Sequence, residues 1–532
     1  MSASSPNAQI IAQLLRYLAD SGVREVCVAA GARNAPLVAA LAASQGVKLW
    51  NFFEERCAAF FALGRIMTTQ RPVAVVVTSG TAAAELLPAA IEARYQGLPL
   101  ILVTADRPKS YRGTGAPQSI DQACLFGSQV LAAFDLDEGD AGSWVAPQEI
   151  LRGPVQVNVC LAEPLETSPS GWDFTQGALP PPAGDAEVDC AASAALLRDW
   201  IDAAENLVVV AAGLHPAEAA DVAPFLSGLQ APIIADATAN LSGFAELQDL
   251  LLAGGERTLH AIAPTAVLRI GGVPSWRWWR DLEDDPAVSV VNLCSTGFPG
   301  LARRENVRTL PWGTVAKTQV WQWPEHCSLR MATHRAVAKN VRSKIVAAMT
   351  AHPLAEPSWM ASLRQRIPAG SRVFLGNSLP IREWDVACGD VCQVTFANRG
   401  ANGIDGLVST FLGCAVDTEE AWLILGDLSA LYDLAAPWII DQIAASRLRI
   451  VVINNGGGKI FARVPGLKAL PEEVRSIVEN RHALSFEAWA KLWNLDYHLA
   501  TTTQELDVAL PDVCVIEVRP DAVQTEAFWA SL

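Results

Sequence analysis

The sequence predicts an α/β protein made of three doubly wound domains, each with a parallel sheet. Apolar runs rich in β-branched residues, such as RPVAVVVTSG (71–80), alternate with segments of helical period. Continuous apolar strands are typical of parallel sheets that helices cover on both faces. The chain of 532 residues exceeds one ordinary core, because a domain holds about 150 residues. Hydrophobic residues form 51% of the chain and charged residues 18%, which favours large buried cores.

The first domain is predicted to cover residues 1–180. It opens with MSASSPNAQIIAQLLRYLADSG (1–22), which has the pattern of an amphipathic helix and lacks the basic segment of a signal peptide. Strand-like and helical runs then alternate, and TAAAELLPAAIEARYQG (81–97) is predicted to be helical. The stretch 166–188, which contains three consecutive prolines, fits neither period and is predicted to be a linker.

The second and third domains are predicted to cover residues 188–340 and 346–532. In the second domain the predicted strands are NLVVVAAG (206–213), APIIADA (231–237), AVLRIGG (266–272) and VSVVNLC (288–294). In the third they are RVFLGNS (372–378), AWLILGDL (421–428), LRIVVINN (448–455) and VCVIEVRP (513–520). The stretch 316–345 between these two domains is predicted to be irregular.

Charge and cysteine usage exclude several classes of function. The net charge of -16 argues against a general binder of nucleic acid or anionic membranes, because phosphates would be repelled. No apolar run reaches the roughly 18 residues of a membrane span, and a cytoplasmic location is expected. Cys27 and Cys514 lie in apolar runs and are predicted to be buried thiols. Cys388 and Cys392 have no second pair at ligand spacing, so no metal site is predicted there.

The segment AWLILGDLSALYDLAAPWIIDQIAASRLRIVVINNGGGKIF (421–461) is predicted to form one strand–helix–strand unit. Asp427 ends its first strand, and Asn454 and Asn455 end its second. A right-handed crossover brings both ends to one sheet edge, where ligands bind in open α/β folds. A carboxylate, an amide oxygen and carbonyls of the glycine turn 456–458 make an oxygen-only site that suits Mg²⁺ with phosphates.

The alternative is that these dipeptides are only turn signals at strand ends. GGGK lacks the spacing of a phosphate-binding P-loop. Each dipeptide on its own is more often turn chemistry. Their combination within one strand–helix–strand unit favours the metal site.

This segment resembles the diphosphate-anchoring motif of thiamine-diphosphate enzymes, in which GDG is followed by a spacer and NN; here Leu428 replaces the second glycine. The resemblance implies Mg²⁺, or Mn²⁺ in its place, bound by Asp427, Asn455 and the carbonyl of Gly457. It favours Asn455 over Asn454, although spacing alone leaves both open. The implied cofactor contacts are Gly426, Asp427, Leu428, Ser429, Asn455, Gly457 and Ile460, with Ile404 supporting the cofactor's V-shaped conformation.

Thiamine chemistry also needs a carboxylate beside N1′ of the aminopyrimidine ring, expected at a strand-to-helix junction of another α/β domain. KLWNFFEERCAAFFALG (48–64) provides Glu54 and Glu55 where a strand-like run meets an apolar helix. Acidic residues favour the first helical turn on dipole grounds alone, so an isolated pair is more often structural. The resemblance assigns the catalytic role, and a contact with the cofactor, to Glu55.

The resemblance narrows at TADRPKSYRGTGAPQSIDQACLFG (104–127), together with TSGTAAAELLPA (78–89) and NRGANGIDGLVST (398–410). These segments resemble one branch of the thiamine-diphosphate enzymes, the 2-succinyl-5-enolpyruvyl-6-hydroxy-3-cyclohexene-1-carboxylate (SEPHCHC) synthases of menaquinone biosynthesis. The resemblance covers the first and third domains almost throughout and is weak in the middle one. It implies a pyrimidine-binding, a central and a diphosphate-binding domain, in that order.

Members of that branch decarboxylate 2-oxoglutarate and add the succinyl unit to isochorismate. Both substrates are dicarboxylates, so the resemblance implies a site with several arginines. The implied substrate residues are Arg33, Arg107, Gln118, Arg277, Ser378, Arg382, Arg399 and Phe461. In this superfamily the glutamate domain of one subunit faces the diphosphate domain of another, which implies at least a homodimer, and a homotetramer is expected.

Two positions depart from the pattern of the branch. Ala32 stands where the first loop usually has serine, and Trp276 stands where a lysine often precedes the arginine at 277. These changes do not affect the residues that activate the cofactor, but they leave the identity of the acceptor substrate undecided. The alternatives are another thiamine carboligase, of the acetolactate-synthase type, and a non-catalytic relative that binds the cofactor. None of the 7 histidines falls in these motifs, so no histidine base is predicted.

Overall fold

The structure is a computed structural model. It describes residues 5–140, 152–165, 170–176, 190–318, 325–388, 393–443 and 447–532. The chain divides into two compact units. The first comprises Met1–Gly184, Gly400–Asp417 and Tyr432–Ala444, and the second comprises Asp185–Arg399, Thr418–Leu431 and Ala445–Leu532. The three domain boundaries drawn from the sequence stay a prediction.

The first unit is built on a six-stranded parallel sheet with the strand order β2-β1-β3-β4-β6-β5. Its strands are β1 (Glu25–Ala29), β2 (Lys48–Phe52), β3 (Val73–Val77), β4 (Leu100–Asp106), β5 (Ala132–Leu136) and β6 (Val155–Cys160). Its first helices are α1 (Pro6–Asp20), α2 (Ala35–Ala42), α3 (Glu55–Thr69), α4 (Thr81–Ala84) and α5 (Leu87–Gln96). β3 and β4 are buried along their whole length, as expected of a sheet covered on both faces.

Of two helices predicted in the first unit, one is confirmed and the other is divided in two. The amphipathic helix at the start is confirmed as α1. The segment 81–97, predicted as one helix, forms two helices, α4 and α5, which are separated by Glu85 and Leu86. Pro88 lies in the first turn of α5, where a backbone N–H has no partner within the helix and its absence costs nothing.

The second unit contains a five-stranded parallel sheet with the strand order β11-β10-β9-β7-β8. Its strands are β7 (Leu207–Ala212), β8 (Ile233–Ala235), β9 (Ala266–Gly271), β10 (Ser289–Cys294) and β11 (Val307–Pro311). Its helices are α6 (Cys190–Asp202), α7 (Pro216–Leu229), α8 (Gly255–Ile262), α9 (Arg277–Asp281), α10 (Thr314–Thr318) and α11 (Met331–Ala351). The expectation that 316–345 is irregular is wrong at 316–318, which end α10, and from residue 331 onward, where α11 is a helix of 21 residues.

The second unit also contains a six-stranded parallel sheet with the strand order β13-β12-β14-β15-β17-β16. Its strands are β12 (Arg372–Leu375), β13 (Val394–Phe396), β14 (Glu420–Gly426), β15 (Arg447–Ile453), β16 (Asp496–Ala500) and β17 (Val513–Val518). The helices of this part of the chain are α12 (Glu356–Arg366), α13 (Leu379–Cys388), α14 (Leu407–Ala415), α15 (Asp427–Tyr432), α16 (Pro465–Lys468), α17 (Glu472–Val478), α18 (Glu487–Leu492) and α19 (Ala522–Ala530).

Helix α14 belongs to the first unit, where it packs against α3. Two glycines allow the helices to approach closely. A Cβ atom on Gly64 would lie 2.0 Å from the carbonyl oxygen of Thr410, and one on Gly413 would lie 2.2 Å from that of Phe61. The helix that carries the predicted catalytic glutamate is therefore held by a backbone-to-backbone contact that any larger residue would disrupt.

The remaining sequence expectations concern the linker, the cysteines and the membrane. Of the predicted linker 166–188, only residues 170–176 are described, and Phe174 within them is fully buried in the core of the first unit. Cys27 and Cys514 are buried thiols, as predicted. Cys392 lies outside the described residues. Within the described ranges, no helix is both long and apolar enough to span a membrane.

Candidate active site

The predicted metal segment forms the strand–helix–strand unit expected of it. β14 and β15 are neighbouring parallel strands, and Gly426 is paired with Ile453 at their carboxyl ends. Asp427 follows directly and is only 2% exposed. Its Oδ2 accepts the N–H groups of Gly456 at 2.8 Å and Gly457 at 2.9 Å. The aspartate is therefore fixed against the glycine turn, and burial raises the pKa of its carboxyl.

The two asparagines of the NN pair have different surroundings. The amide of Asn454 donates to the carbonyl of Leu484 at 2.8 Å and to Oε1 of Glu517 at 2.9 Å. The amide of Asn455 donates to Oε1 of Glu356 at 3.0 Å, and its buried Oδ1 has no hydrogen-bond partner among the described residues. An unsatisfied buried oxygen costs about 1–3 kcal/mol. This orphaned oxygen supports Asn455 as the metal ligand.

The glycine turn has a backbone that only glycine adopts without strain. Gly456 and Gly457 have φ angles of +79° and +130°. A Cβ atom on Gly457 would lie 2.5 Å from the carbonyl oxygen of Glu479. The segment 479–482 backs the turn, since Glu479 accepts the N–H of Gly458 at 2.6 Å and His482 donates its own N–H to Gly456 at 3.3 Å. The two chain segments therefore hold the turn rigidly.

His482 is a neighbour of the site that the sequence did not reveal. Its Nε2 lies 3.3 Å from Oδ2 of Asp427. It belongs to no motif and comes from a segment far along the chain, so spacing offered no signal. His482 lies outside every motif, as the sequence showed, and the fold alone brings it to Asp427.

The donor set fits a hard divalent cation. One carboxylate (Asp427), one orphaned amide oxygen (Asn455) and one carbonyl (Gly457) are the oxygen ligands that Mg²⁺ accepts together with phosphates. Among the described residues, no group of three or more His, Cys, Asp or Glu side chains could hold a metal, so this mixed set has no all-side-chain rival there. A Cβ atom on Gly426 would meet no atom within 4 Å, which leaves space for a bound group.

The implied cofactor contacts Leu428, Ser429 and Ile460 lie on the same two segments, together with the implied substrate residue Phe461. Leu428 donates its N–H to Oδ1 of Asp427 at 2.7 Å, and Ser429 is buried in the first turn of α15. Ile460 and Phe461 lie on the 3₁₀ turn Lys459–Arg463 directly after the glycine turn, and both are partly buried. The structure thus brings these four residues to the loops that follow β14 and β15.

Three implied substrate residues follow β12 and β13 at the same sheet edge. Ser378 has a φ of +77°, which for a residue with a side chain costs about 1–3 kcal/mol and is typical of functional loops. Its carbonyl accepts Nη1 of Arg382 at 2.7 Å. Arg399 donates Nη1 to Oδ1 of Asn377 at 2.9 Å. Because β13, β12, β14 and β15 are neighbours, these residues share one sheet edge with the loop 454–458.

Glu54 and Glu55 have different surroundings at the start of α3. Glu54 is the N-cap residue, and its carboxylate accepts the N–H of Arg56 at 3.2 Å and that of Cys57 at 2.8 Å. Glu55 is the first helical residue, and burial raises the pKa of its carboxyl above the usual value. The capping role that an acidic pair often has thus belongs to Glu54, which supports Glu55 as the residue for chemistry.

Arg33 and Arg107 belong to the first unit and are held by carbonyl groups. Arg33 is 7% exposed, donates Nη1 to the carbonyl of Leu161 at 3.0 Å and lies 3.1 Å from Oε1 of Glu163. Arg107 follows β4 and donates Nε to the carbonyl of Pro117 at 3.0 Å. Both guanidinium groups are therefore oriented before any substrate binds.

Gln118 and Ile404 also belong to the first unit. Gln118 has a φ of +55°, and a Cβ atom on Gly80 would lie 3.2 Å from its Cα, so its loop passes close to the loop after β3. Ile404 is partly buried, two residues before Gly406. Gly406 has a φ of +65° and meets the ring of Phe60 on α3, since a Cβ there would lie 2.1 Å from the ring.

Arg277 is the implied substrate residue whose surroundings fit least well. Its side chain is 52% exposed and pairs with Asp281 at 3.5 Å on the surface of α9. The preceding Trp276 is buried and donates Nε1 to Oδ2 of Asp385 at 2.9 Å. The tryptophan therefore connects α9 to α13, and the place of the usual lysine is taken by a structural hydrogen bond.

Comparison with known proteins gives consistent results. Residues 9–125 match the family described as thiamine pyrophosphate enzyme, N-terminal TPP binding domain. A 2-succinyl-5-enolpyruvyl-6-hydroxy-3-cyclohexene-1-carboxylate synthase of Bdellovibrio bacteriovorus is 39% identical, covering 98% of this chain and 98% of the relative. A synthase of the same name from Akkermansia muciniphila is 38% identical, covering 98% and 97%.

A solved structure supports the fold. Benzoylformate decarboxylase from Polynucleobacter necessarius superimposes with a TM-score of 0.70 at 14% identity, covering 96% of this chain and 98% of that one. Identity this low shows the fold alone. The family follows from the two sequence relatives: the chain belongs to the 2-succinyl-5-enolpyruvyl-6-hydroxy-3-cyclohexene-1-carboxylate synthases.

Proposed function

We propose that this protein decarboxylates 2-oxoglutarate and joins the remaining succinyl unit to isochorismate, which yields SEPHCHC and CO₂ in menaquinone biosynthesis. The observation that carries the proposal is the 39% identity to a synthase of that name over 98% of the chain. The site geometry supports it, since the proposed metal ligands share the carboxyl edge of the third sheet with Ser378, Arg382 and Arg399 of the proposed substrate set.

Thiamine diphosphate is the cofactor, and we infer that Mg²⁺ anchors its diphosphate. The cation would be held by Asp427, Asn455 and the carbonyl of Gly457, a set supported by the orphaned Oδ1 of Asn455. Bound thiamine diphosphate supplies the electron sink that decarboxylation of a 2-oxo acid requires. Glu55 would hydrogen-bond the aminopyrimidine ring, and its raised pKa suits a group that exchanges a proton there.

The arginines would select dicarboxylate substrates. Arg33, Arg107, Arg382 and Arg399 each have at least one hydrogen bond to a carbonyl or amide oxygen that orients the guanidinium. Burial lowers the pKa of Arg382 from its ordinary value, so this cation is partly desolvated before it meets an anion. A pre-oriented, partly dry guanidinium binds a carboxylate more strongly than a solvated one. Gln118, Ser378, Phe461 and Arg277 complete the proposed substrate set.

We also propose that the active unit is a homodimer, with a homotetramer expected. Phe53 and Trp438 of the first unit are 55% and 41% exposed and pack edge to face with ring centroids 5.0 Å apart. Tyr432 and Leu434 of the same unit are also large, apolar and exposed. An exposed aromatic cluster next to Glu55 in sequence supports burial by a second copy of the chain.

Release of CO₂ from different 2-oxo acids tests the donor. With thiamine diphosphate and Mg²⁺, we expect turnover of 2-oxoglutarate and little turnover of pyruvate, because pyruvate lacks the second carboxylate. Preference for pyruvate would instead favour an acetolactate-synthase-type carboligase. Failure to decarboxylate any 2-oxo acid would indicate a non-catalytic relative.

Co-expression of Glu55→Gln and Asp427→Ala chains tests the shared site. If each site combines Glu55 of one subunit with Asp427 of the other, mixed dimers regain one intact site. Random pairing would then restore about a quarter of the wild-type activity. Activity no higher than that of either variant alone would contradict a shared site.

A further inference from the structure

The hydrogen bond between Glu356 and Asn455 has a consequence for the proposed metal site. Glu356 is the first residue of α12 and is 4% exposed. Its N–H donates to Oγ1 of Thr525 at 3.1 Å, which fixes the start of the helix. Its Oε1 then accepts Nδ2 of Asn455 at 3.0 Å. A residue outside every metal and cofactor motif is thus rigidly held against the asparagine side chain.

The direction of this hydrogen bond decides which end of the Asn455 amide faces the cation. An amide has an oxygen that can ligate a cation and an NH₂ group that cannot, and a half-turn of the side chain exchanges the two. A carboxylate oxygen only accepts, so Glu356 holds the NH₂ group. The Oδ1 atom is left on the other side, buried and with no hydrogen-bond partner in the described chain.

Glu383 of α13 is a second buried acid beside Glu356. It is fully buried, and burial together with the nearby charge of Glu356 raises the pKa of its carboxyl. Neither of its carboxyl oxygens has a hydrogen-bond partner among the described residues. Of these two neighbouring acids, Glu356 is the one that accepts the Asn455 amide.

We propose that Glu356 is a positioning residue of the metal site, which fixes the Asn455 amide with its oxygen toward the cation. The inference rests on the proposed Mg²⁺ site at Asp427 and Asn455. Residues that orient a metal ligand in this way typically contribute 10–100-fold to metal affinity, as an order of magnitude. Glu356 itself would touch neither the cation nor the substrate.

Binding of Mn²⁺ in the presence of saturating thiamine diphosphate, followed by electron paramagnetic resonance, tests the proposal. Glu356→Met removes the acceptor at similar volume, and we expect Mn²⁺ affinity to fall about 10–100-fold. Glu356→Gln keeps an acceptor oxygen for Asn455 and offers its NH₂ group to Glu383. We expect this variant to stay within about threefold of the wild type.

Glu383→Met is the matched control, because it breaks the same acid pair without touching Asn455. We expect its Mn²⁺ affinity to remain near that of the wild type. If Glu356→Met does not fold, the double variant with Met at 356 and 383 replaces the whole buried pair by apolar side chains, a change that is often neutral for stability. It should fold and still bind Mn²⁺ about 10–100-fold more weakly.

Three results would overturn the inference: wild-type affinity in Glu356→Met, equal losses in Glu356→Met and Glu383→Met, or a loss in Glu356→Gln as large as that in Glu356→Met. Asp427→Ala in the same assay separates this failure from failure of the metal site. If Asp427→Ala loses Mn²⁺ and Glu356→Met does not, only the role of Glu356 is wrong. If Asp427→Ala binds Mn²⁺ like the wild type, the metal site itself is wrong.

Discussion

The adjacent residues Glu54 and Glu55 give the sharpest test of how this structure separates stability from chemistry. Glu54 caps α3 through two backbone N–H groups, of Arg56 and Cys57. Loss of a cap costs about 1 kcal/mol, and loss of a negative charge at a helix N-terminus costs a further 0.3–1 kcal/mol, both as orders of magnitude. Glu54→Ala should therefore lower the free energy of unfolding by about 1–2 kcal/mol, with kcat reduced less than about tenfold.

Glu55→Gln should show the opposite behaviour. Burial raises the pKa of Glu55, so the folded protein disfavours its ionised form, and the neutral glutamine relieves this cost at neutral pH. The variant should be at least as stable as the wild type. Its activity should fall by about 10²–10⁴, the range for loss of an acid–base group.

Urea unfolding and steady-state CO₂ release, measured on the wild type, Glu54→Ala and Glu55→Gln, test this separation of roles. The expected pattern is a stability loss without a large activity loss for Glu54→Ala, and the reverse for Glu55→Gln. Near wild-type turnover in Glu55→Gln would refute the assignment of the catalytic carboxylate. Equal activity losses in both variants, with unchanged stability, would refute the separation of roles.

Three further outcomes follow from the described contacts. Asp427→Ala should abolish Mg²⁺-dependent binding of thiamine diphosphate, measured by calorimetry with and without the cation; unchanged binding would contradict the ligand assignment. Gly64→Ala should destabilise the first unit by several kcal/mol or prevent folding, because its Cβ would lie 2.0 Å from the carbonyl of Thr410; a melting temperature like that of the wild type would show that α3 can shift. Arg112 lowers the pKa of Asp135 from 3.8 to about 2, so this pair stabilises the fold fully above pH 3.8 and loses its contribution as the pH falls toward 2. Asp135→Asn should therefore be less stable than the wild type at neutral pH, and the difference should shrink in acid; a constant difference would refute the linkage.

The sequence predicted the buried strands best, for a physical reason. β3 (VAVVV) and the second half of β15 (IVVI) are apolar runs rich in β-branched residues, as expected of strands in sheets that are covered on both faces. β6 is equally buried but contains Gln156 and Asn158, which hydrogen-bond within the unit, so its run is interrupted and gave no clear signal. Helix α11 was not predicted, because few of its residues are buried and most of its side chains are charged, polar or small.

In the candidate site, too, the sequence predicts what a local motif determines and misses what only the tertiary fold brings together. The sequence could predict that Asp427 and Asn455 lie together, because a short motif and one crossover place them at the ends of neighbouring strands. Spacing alone left Asn454 and Asn455 open and the resemblance favoured Asn455. The structure supports this preference, because Oδ1 of Asn454 accepts the N–H of Gly456, whereas Oδ1 of Asn455 has no partner among the described residues. Glu356 and His482 contact Asn455 and Asp427 from segments that no spacing rule connects to them, so these contacts could not be predicted from the sequence.

The formation of product from 2-oxoglutarate and isochorismate tests the central claim most directly. The purified protein, with thiamine diphosphate and Mg²⁺, would receive uniformly ¹³C-labelled 2-oxoglutarate and unlabelled isochorismate, and the products would be identified by mass spectrometry. We expect labelled CO₂ and an adduct that carries the four remaining labelled carbons, both formed about 10²–10⁴-fold more slowly by Glu55→Gln. Labelled CO₂ without that adduct would contradict the proposed acceptor, and the absence of labelled CO₂ would contradict the proposed reaction.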